Sequence, residues 1–131
     1  ILPHNKKIIW NCIRDIDGFH TREELLHNWK HLLNYIEFLS GDSKKILQKL
    51  SIDRVNFAFL DGAHNLKSVK NEFEWVKKRQ IKNDIIVFDD YNPKDFKGIY
   101  NLVNQIEKED IYSINKIFSD DNRGYAIATK R

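Results

Sequence analysis

Three aspartates, Asp61, Asp89 and Asp90, are the residues of this sequence whose type and spacing could do chemistry. Asp61 closes the apolar run "VNFAFLD" (55–61), and Asp89 and Asp90 close the run "DIIVFDD" (84–90). If the two runs are neighbouring strands, their ends bring three carboxylates together, a charge density that is costly unless a cation neutralises it. Oxygen-only ligands point to a hard ion such as Mg²⁺, which takes a few carboxylates, keeps waters and leaves positions open to substrate oxygens. A purely structural account also exists. Asp61 with Gly62 starts a turn, and Asp90 with Tyr91-Asn92-Pro93 caps the next helix. Each aspartate alone fits that account; the two motifs together favour a metal.

Other polar residues fall at comparable places. His64 follows Asp61 closely enough to act as a base or touch a substrate, although a solvent-facing loop histidine fits equally. Asp42 and Ser43 could contact a ligand's base or simply cap the helix that starts at Lys44. His27 and His31 stand four apart on a helix, which is zinc-compatible spacing, but no third ligand is evident and they read as surface residues.

The elements that must position these groups alternate. "KIIWNCI" (7–13) is apolar and β-prone and runs into the turn-like "RDIDGF". Thr21 and Glu24 form a capping-box pattern opening a helix with Leu25, Leu26, Trp29, Leu32 and Leu33 on one face. "YIEFLS" (35–40) has period two and predicts a strand, followed by the short helix "SKKILQKL". After strand 55–61, Asn65 N-caps an amphipathic helix whose apolar positions are Leu66, Val69, Phe73 and Val76. Pro93 opens another helix with Phe96, Ile99, Tyr100, Val103 and Ile106 on one stripe. The end differs: "IYSINKIFS" and "YAIATK" are two strands joined by "DDNRG", a hairpin.

Strand–helix alternation predicts a three-layer, Rossmann-like α/β domain with a mostly parallel sheet, to which the C-terminal hairpin adds one antiparallel strand. In such sheets ligands bind outside the carboxyl ends of the strands, where every conspicuous polar cluster here falls. The 131 residues suit one domain, spanning 1–131.

Composition excludes some classes. With 41% hydrophobic and 31% charged residues, and no apolar run near the ~20 residues a bilayer requires, the chain reads as soluble, without a membrane partner. The lone Cys12 forms no internal disulfide, which agrees with a cytoplasmic location. The net charge is +3 and the basic clusters are short and mixed with acids, so a nucleic-acid partner is not signalled.

With "FLDGAHNLKSVKNEFEWV" and "IIVFDDYN" in place, the sequence resembles the class I S-adenosylmethionine-dependent methyltransferases. More narrowly it is similar to the macrocin O-methyltransferase group and related metal-assisted sugar or phenol O-methyltransferases. The likeness runs from about residue 7 to 130 and includes "SGDSKKIL" and the late hairpin. It implies S-adenosylmethionine and Mg²⁺, or another hard divalent ion, as cofactors and a small hydroxylated molecule as acceptor. It also implies Asp61, Asp89 and Asp90 as metal ligands, Asp61 as a catalytic base beside the candidate His64, and Asp42, Ser43 and Asp61 at the cofactor.

Two departures from the family stand out. Its first strand with a Gly-x-Gly turn is missing among the five glycines. The acid expected on the ribose falls near Arg14, so Asp15 or Asp17 takes that part. These departures lead to the expectation that the 131 residues are the C-terminal portion of a longer protein. A chain complete as given would need a homodimer or a rearranged sheet to cover the gap. They also leave open a second reading, a catalytically inactive methyltransferase-like fragment that serves as an interaction module. A phosphoryl-transfer enzyme is a weaker third, since no glycine-rich phosphate loop is present.

Overall fold

The computed structural model describes residues 26–62, 64–118 and 124–131. The expected strand 7–13, the Thr21–Glu24 capping box, Cys12, Asp15 and Asp17 lie outside the described residues. The chain forms two compact units, Ile1–Ile46 and Leu47–Arg131.

In the first unit, the helix expected from the apolar spacing is a 3₁₀ helix, His27–Tyr35, broken by non-helical angles at Trp29 (φ −118°, ψ 20°). None of its residues is buried, and Leu26 at its start supplies no side-chain cap. Short segments gain α-helical stability mainly from packing and capping, so a tighter, irregular helix is the physical outcome. Residues 36–40, expected as a strand, are not part of a strand ladder. The short helix α1, Ser43–Leu47, forms where expected.

In the second unit, strands β1 (Phe57–Leu60) and β2 (Ile85–Phe88) pair in parallel, in the register Leu60 opposite Phe88. Helices α2 (Leu66–Lys77) and α3 (Lys97–Lys108) follow these strands. The hairpin consists of β3 (Tyr112–Phe118) and β4 (Gly124–Lys130). β4 lies between β2 and β3 and is antiparallel to both, giving the order β1-β2-β4-β3. Three strands therefore share one direction and β4 alone is reversed, as the α/β reading of the sequence expects.

Alternation along the strands decides which side is core. Ile86 and Phe88 on β2, with Ala126 and Ala128 on β4, are buried in one cluster with Val69, Phe73 and Val76 of α2 and Ile99, Leu102, Val103 and Ile106 of α3. Each large apolar side chain removed from water here contributes about 1.5–3 kcal/mol before entropy is counted. Asn65 caps α2 through Ser68 N–H, at 3.0 Å, as its sequence position predicts. α3 starts later than Pro93 suggests. Asn92 Oδ1 accepts from the backbone N–H groups of Lys94 (2.7 Å) and Asp95 (3.3 Å), so a turn precedes the helix. These bonds cap the turn, whereas α3 itself, with Phe96 at its N-cap, has no side-chain cap.

Candidate functional site

Parallel register explains how the acids meet. Leu60 and Phe88 are paired, so the next residues, Asp61 and Asp89, leave adjacent strands side by side, and Asp89 N–H donates to Leu60 C=O at 3.1 Å. Neighbouring strands lie only about 4.8 Å apart. Asp90 then turns back with φ +54°, a left-handed conformation that aspartate tolerates better than most residues. Its N–H donates to Asp89 Oδ1 at 2.8 Å, which holds the Asp89 carboxylate against the Asp90 backbone.

One carboxylate oxygen from each of Asp61, Asp89 and Asp90 lies within 4.8 Å of the others. Two oxygens on opposite sides of a Mg²⁺ ion stand about 4.2 Å apart, and around Ca²⁺ about 5 Å, so the spacing of the set suits a hard divalent ion. The electrostatics agree. Burial, then the charges of Asp89 and Asp90, then a hydrogen bond with Asp89 push the Asp61 carboxyl above its ordinary value, while His64 pulls it down. A carboxyl crowded by like charges in this way gains from a cation.

His64 joins this group. Its Nδ1 is 3.2 Å from Asp90 Oδ2, and its ring packs on Phe96 with centroids 4.5 Å apart. The structure thus brings together Asp61, His64, Asp89 and Asp90 at the carboxyl ends of β1 and β2. Asp42 and Ser43 stand at the start of α1, where Asp42 Oδ1 accepts from Lys44 N–H at 2.9 Å and the Asp42 carbonyl accepts from Lys45 and Ile46. Asp42 thus caps the helix, one of the two alternatives the sequence offers for it. His27 and His31 lie on the exposed 3₁₀ helix, with His31 near Trp29. Among the described residues, the three aspartates are the one group of three or more acids, histidines or cysteines with the geometry to hold a metal.

Three residues at the site carry no sequence signal of their own. Phe96 reads as a core position of α3, yet its ring faces His64. Gly98 and Gly124 read as ordinary glycines, yet each adjoins a loop that bears the acids. Only the three-dimensional neighbourhood distinguishes them.

A mixed α/β sheet of this kind is shared with solved methyltransferase structures. Residues 2–91 match the family described as a methyltransferase domain, through both units of the chain, and the chain belongs to that family. No curated protein matches the sequence. Among solved structures it is similar to an O-methyltransferase from Bacillus cereus in complex with SAH, at 18% identity and TM-score 0.52, over 69% of this chain and 46% of that one. It is also similar to TomG, an O-methyltransferase from Streptomyces achromogenes involved in tomaymycin synthesis and solved with SAM. Here identity is 14% and the TM-score 0.60, over 83% and 58% of the two chains. A protein assigned as an rRNA methylase from Clostridium thermocellum is 10% identical at TM-score 0.64, over 98% and 72%. At such identities the likeness is one of fold. The chain spans about half the length of the first two.

Proposed function

We propose that this chain is part of an S-adenosylmethionine-dependent O-methyltransferase that acts, with a divalent ion, on a hydroxyl of a small molecule such as a sugar or a phenol. The reading places it nearest the macrocin O-methyltransferase group, in the cytoplasm, with the 131 residues working as one methyltransferase domain. The observation that carries it is the three-carboxylate set at the ends of two parallel strands in a methyltransferase-family chain.

In the transfer, the acceptor oxygen forms a bond to the methyl carbon as the sulfonium S–C bond breaks. The electron pair of that bond stays on sulfur, and the hydroxyl proton leaves to a base. An ion held by Asp61, Asp89 and Asp90 would supply Lewis-acid chemistry that lowers the pKa of the acceptor hydroxyl. Asp61 is the member of the set to which the family resemblance gives the part of the base that takes the proton. His64, against Asp90 and 42% exposed, is placed to contact the incoming acceptor. Asp42 and Ser43 serve the adenine and Asp15 or Asp17 the ribose, as in the family the chain resembles.

The test is calorimetric titration of the complete protein with S-adenosylhomocysteine, with and without Mg²⁺, together with turnover of Asp89→Asn and Asp90→Asn. Cofactor binding is expected, and both variants should lose on the order of 100-fold or more in metal-dependent kcat/KM, about 3 kcal/mol, while keeping the fold. Undiminished turnover in both variants would remove the metal from the mechanism. Failure of the complete protein to bind the cofactor would favour an interaction module instead.

A further inference from the structure

The carboxylates sit on two loops, and something must hold those loops at a fixed separation. The first loop runs from Asp61 to Asn65, the N-cap of α2, and the second from Asp89 to Asn92. At each loop a glycine from a distant part of the chain touches the backbone. A Cβ on Gly98, in the first turn of α3, would lie 2.5 Å from Leu66 N and 2.6 Å from His64 O. A Cβ on Gly124, the first residue of β4, would lie 2.4 Å from Tyr91 O and 3.1 Å from Ile117 O. Real Cβ atoms do not approach other atoms that closely, and backbone cannot swing aside as a long side chain can.

Both contacts are fastened. Gly124 O accepts from Tyr91 N–H at 2.8 Å. The buried Tyr91 ring is stacked on Tyr100 at 5.2 Å, and its hydroxyl donates to Asn104 Oδ1 at 3.1 Å. On the other loop, Phe96 packs on the His64 ring two residues before Gly98. Neither glycine has the positive φ that would by itself demand glycine, since Gly41 alone does so among the described residues. Space, rather than backbone conformation, accounts for them.

We infer that Gly98 and Gly124 are positioning residues, which set the separation of the two acidic loops and hence the affinity of Asp61, Asp89 and Asp90 for a divalent ion. The inference rests on the metal reading of those acids. An alanine at either place displaces a loop backbone: at Gly124 the peptide that follows Tyr91, at Gly98 the peptides that link His64 to α2. Neither alanine touches a carboxylate. At Gly98 the expected direction opposes helix propensity, because alanine is the better helix former.

The experiment is titration of the complete protein with Mg²⁺ alone, read by calorimetry, for the wild type, Gly98→Ala, Gly124→Ala, Asp89→Asn and the core variant Ile106→Val. Affinity is measured at a temperature where thermal unfolding shows every variant to be folded. The glycine variants should bind Mg²⁺ about 10- to 100-fold more weakly, the range typical for groups that orient metal ligands. Ile106→Val should bind as the wild type does, which separates positioning from general loss of stability. Should an alanine variant fail to fold, Tyr91→Phe, which removes the hydroxyl's bonds with Asn104 and Lys116 and adds no atom, should still weaken binding by a few fold. Wild-type affinity in the folded variants, with Asp89→Asn unable to bind, overturns the inference and leaves the metal reading standing. Absence of Mg²⁺ binding in the wild type overturns the metal reading, and this inference with it.

Discussion

The two edges of one sheet treat their carboxylates in opposite ways. At the amino end of β2, Asp84 is buried and fully matched. Arg54 grips it with two nitrogens, Nη2 donating to Oδ1 at 2.7 Å and Nη1 to Oδ2, while Ile81 N–H donates to Oδ2 at 2.6 Å. At the carboxyl ends of β1 and β2, Asp61, Asp89 and Asp90 crowd one another, with His64 as a weakly basic neighbour. The first edge lowers the cost of a charge that ties segments together. The second gathers like charge where it raises that cost, and a cation is what would reverse the sign.

The largest effect should come from supplying that cation. Mg²⁺ at 100 times its Kd should stabilise the complete wild-type protein against thermal unfolding by about 2.7 kcal/mol. Asp89→Asn should cancel the gain, and Arg54→Ala should retain it. Equal Mg²⁺ stabilisation of the wild type and Asp89→Asn would show that the ion acts elsewhere.

Next in size is the loss of a matched charge at the opposite edge. Arg54→Ala leaves Asp84 buried without its guanidinium and should cost about 2 kcal/mol, below the range for fully buried pairs because the Arg54 side chain is 36% exposed. Urea unfolding measures this directly. A change within a few tenths of a kcal/mol would mean that the two edges do not differ as argued.

Much of this contrast was legible in the sequence, but unequally. The acids at the carboxyl edge could be found because strand ends follow from apolar runs, and adjacency followed from the α/β alternation; Asp61 and Asp89 then met through simple register. Helix α2 was legible to its cap, since Asn65 and the Val69, Phe73, Val76 spacing are local signals. The strand expected at 35–40 failed because period-two spacing marks a strand only when a partner completes the ladder, and no local pattern reports a partner. The Arg54–Asp84 pair and the roles of Gly98 and Gly124 were illegible for a related reason. Each depends on what a distant segment places within a few ångströms.

A smaller effect tests the matched edge again. Tyr112 is buried and its hydroxyl donates to Gln80 Oε1 at 2.9 Å, while Gln80 Nε2 donates to Ile85 C=O at 3.1 Å, beside Asp84. Tyr112→Phe strands one acceptor and should cost about 1 kcal/mol. Burial, then the charge of Glu74, push the Tyr112 hydroxyl up to about 12. The unfolded chain gives up this proton near pH 10 and the folded chain only near 12, so the folded state holds more protons in between. Stability should fall as pH rises through that window, more steeply in the wild type than in Tyr112→Phe. Parallel pH profiles of the two would assign the loss to other groups.

The smallest predicted change has the opposite sign from its counterpart at the matched edge. Asp61→Asn removes one of three crowded charges, keeps a group that can hydrogen-bond Asp89, and leaves the exposed site without a buried orphan. Because the folded-state carboxyl titrates above its unfolded value, its ionisation opposes folding at every pH above both values and is neutral to folding below them. Without added divalent ions, Asp61→Asn should therefore be more stable than the wild type at neutral pH, by about 0.5 kcal/mol given the screening of an exposed group. The gain should vanish as pH falls below the ordinary carboxyl range. With saturating Mg²⁺ the order should invert, since the wild type then gains the ion and the variant loses a ligand. The same isosteric exchange at Asp84 should destabilise under all these conditions, because there the charge is matched by Arg54. Thermal unfolding of both variants at two pH values, with and without Mg²⁺, decides whether the carboxyl edge is built for a cation or merely tolerates its acids.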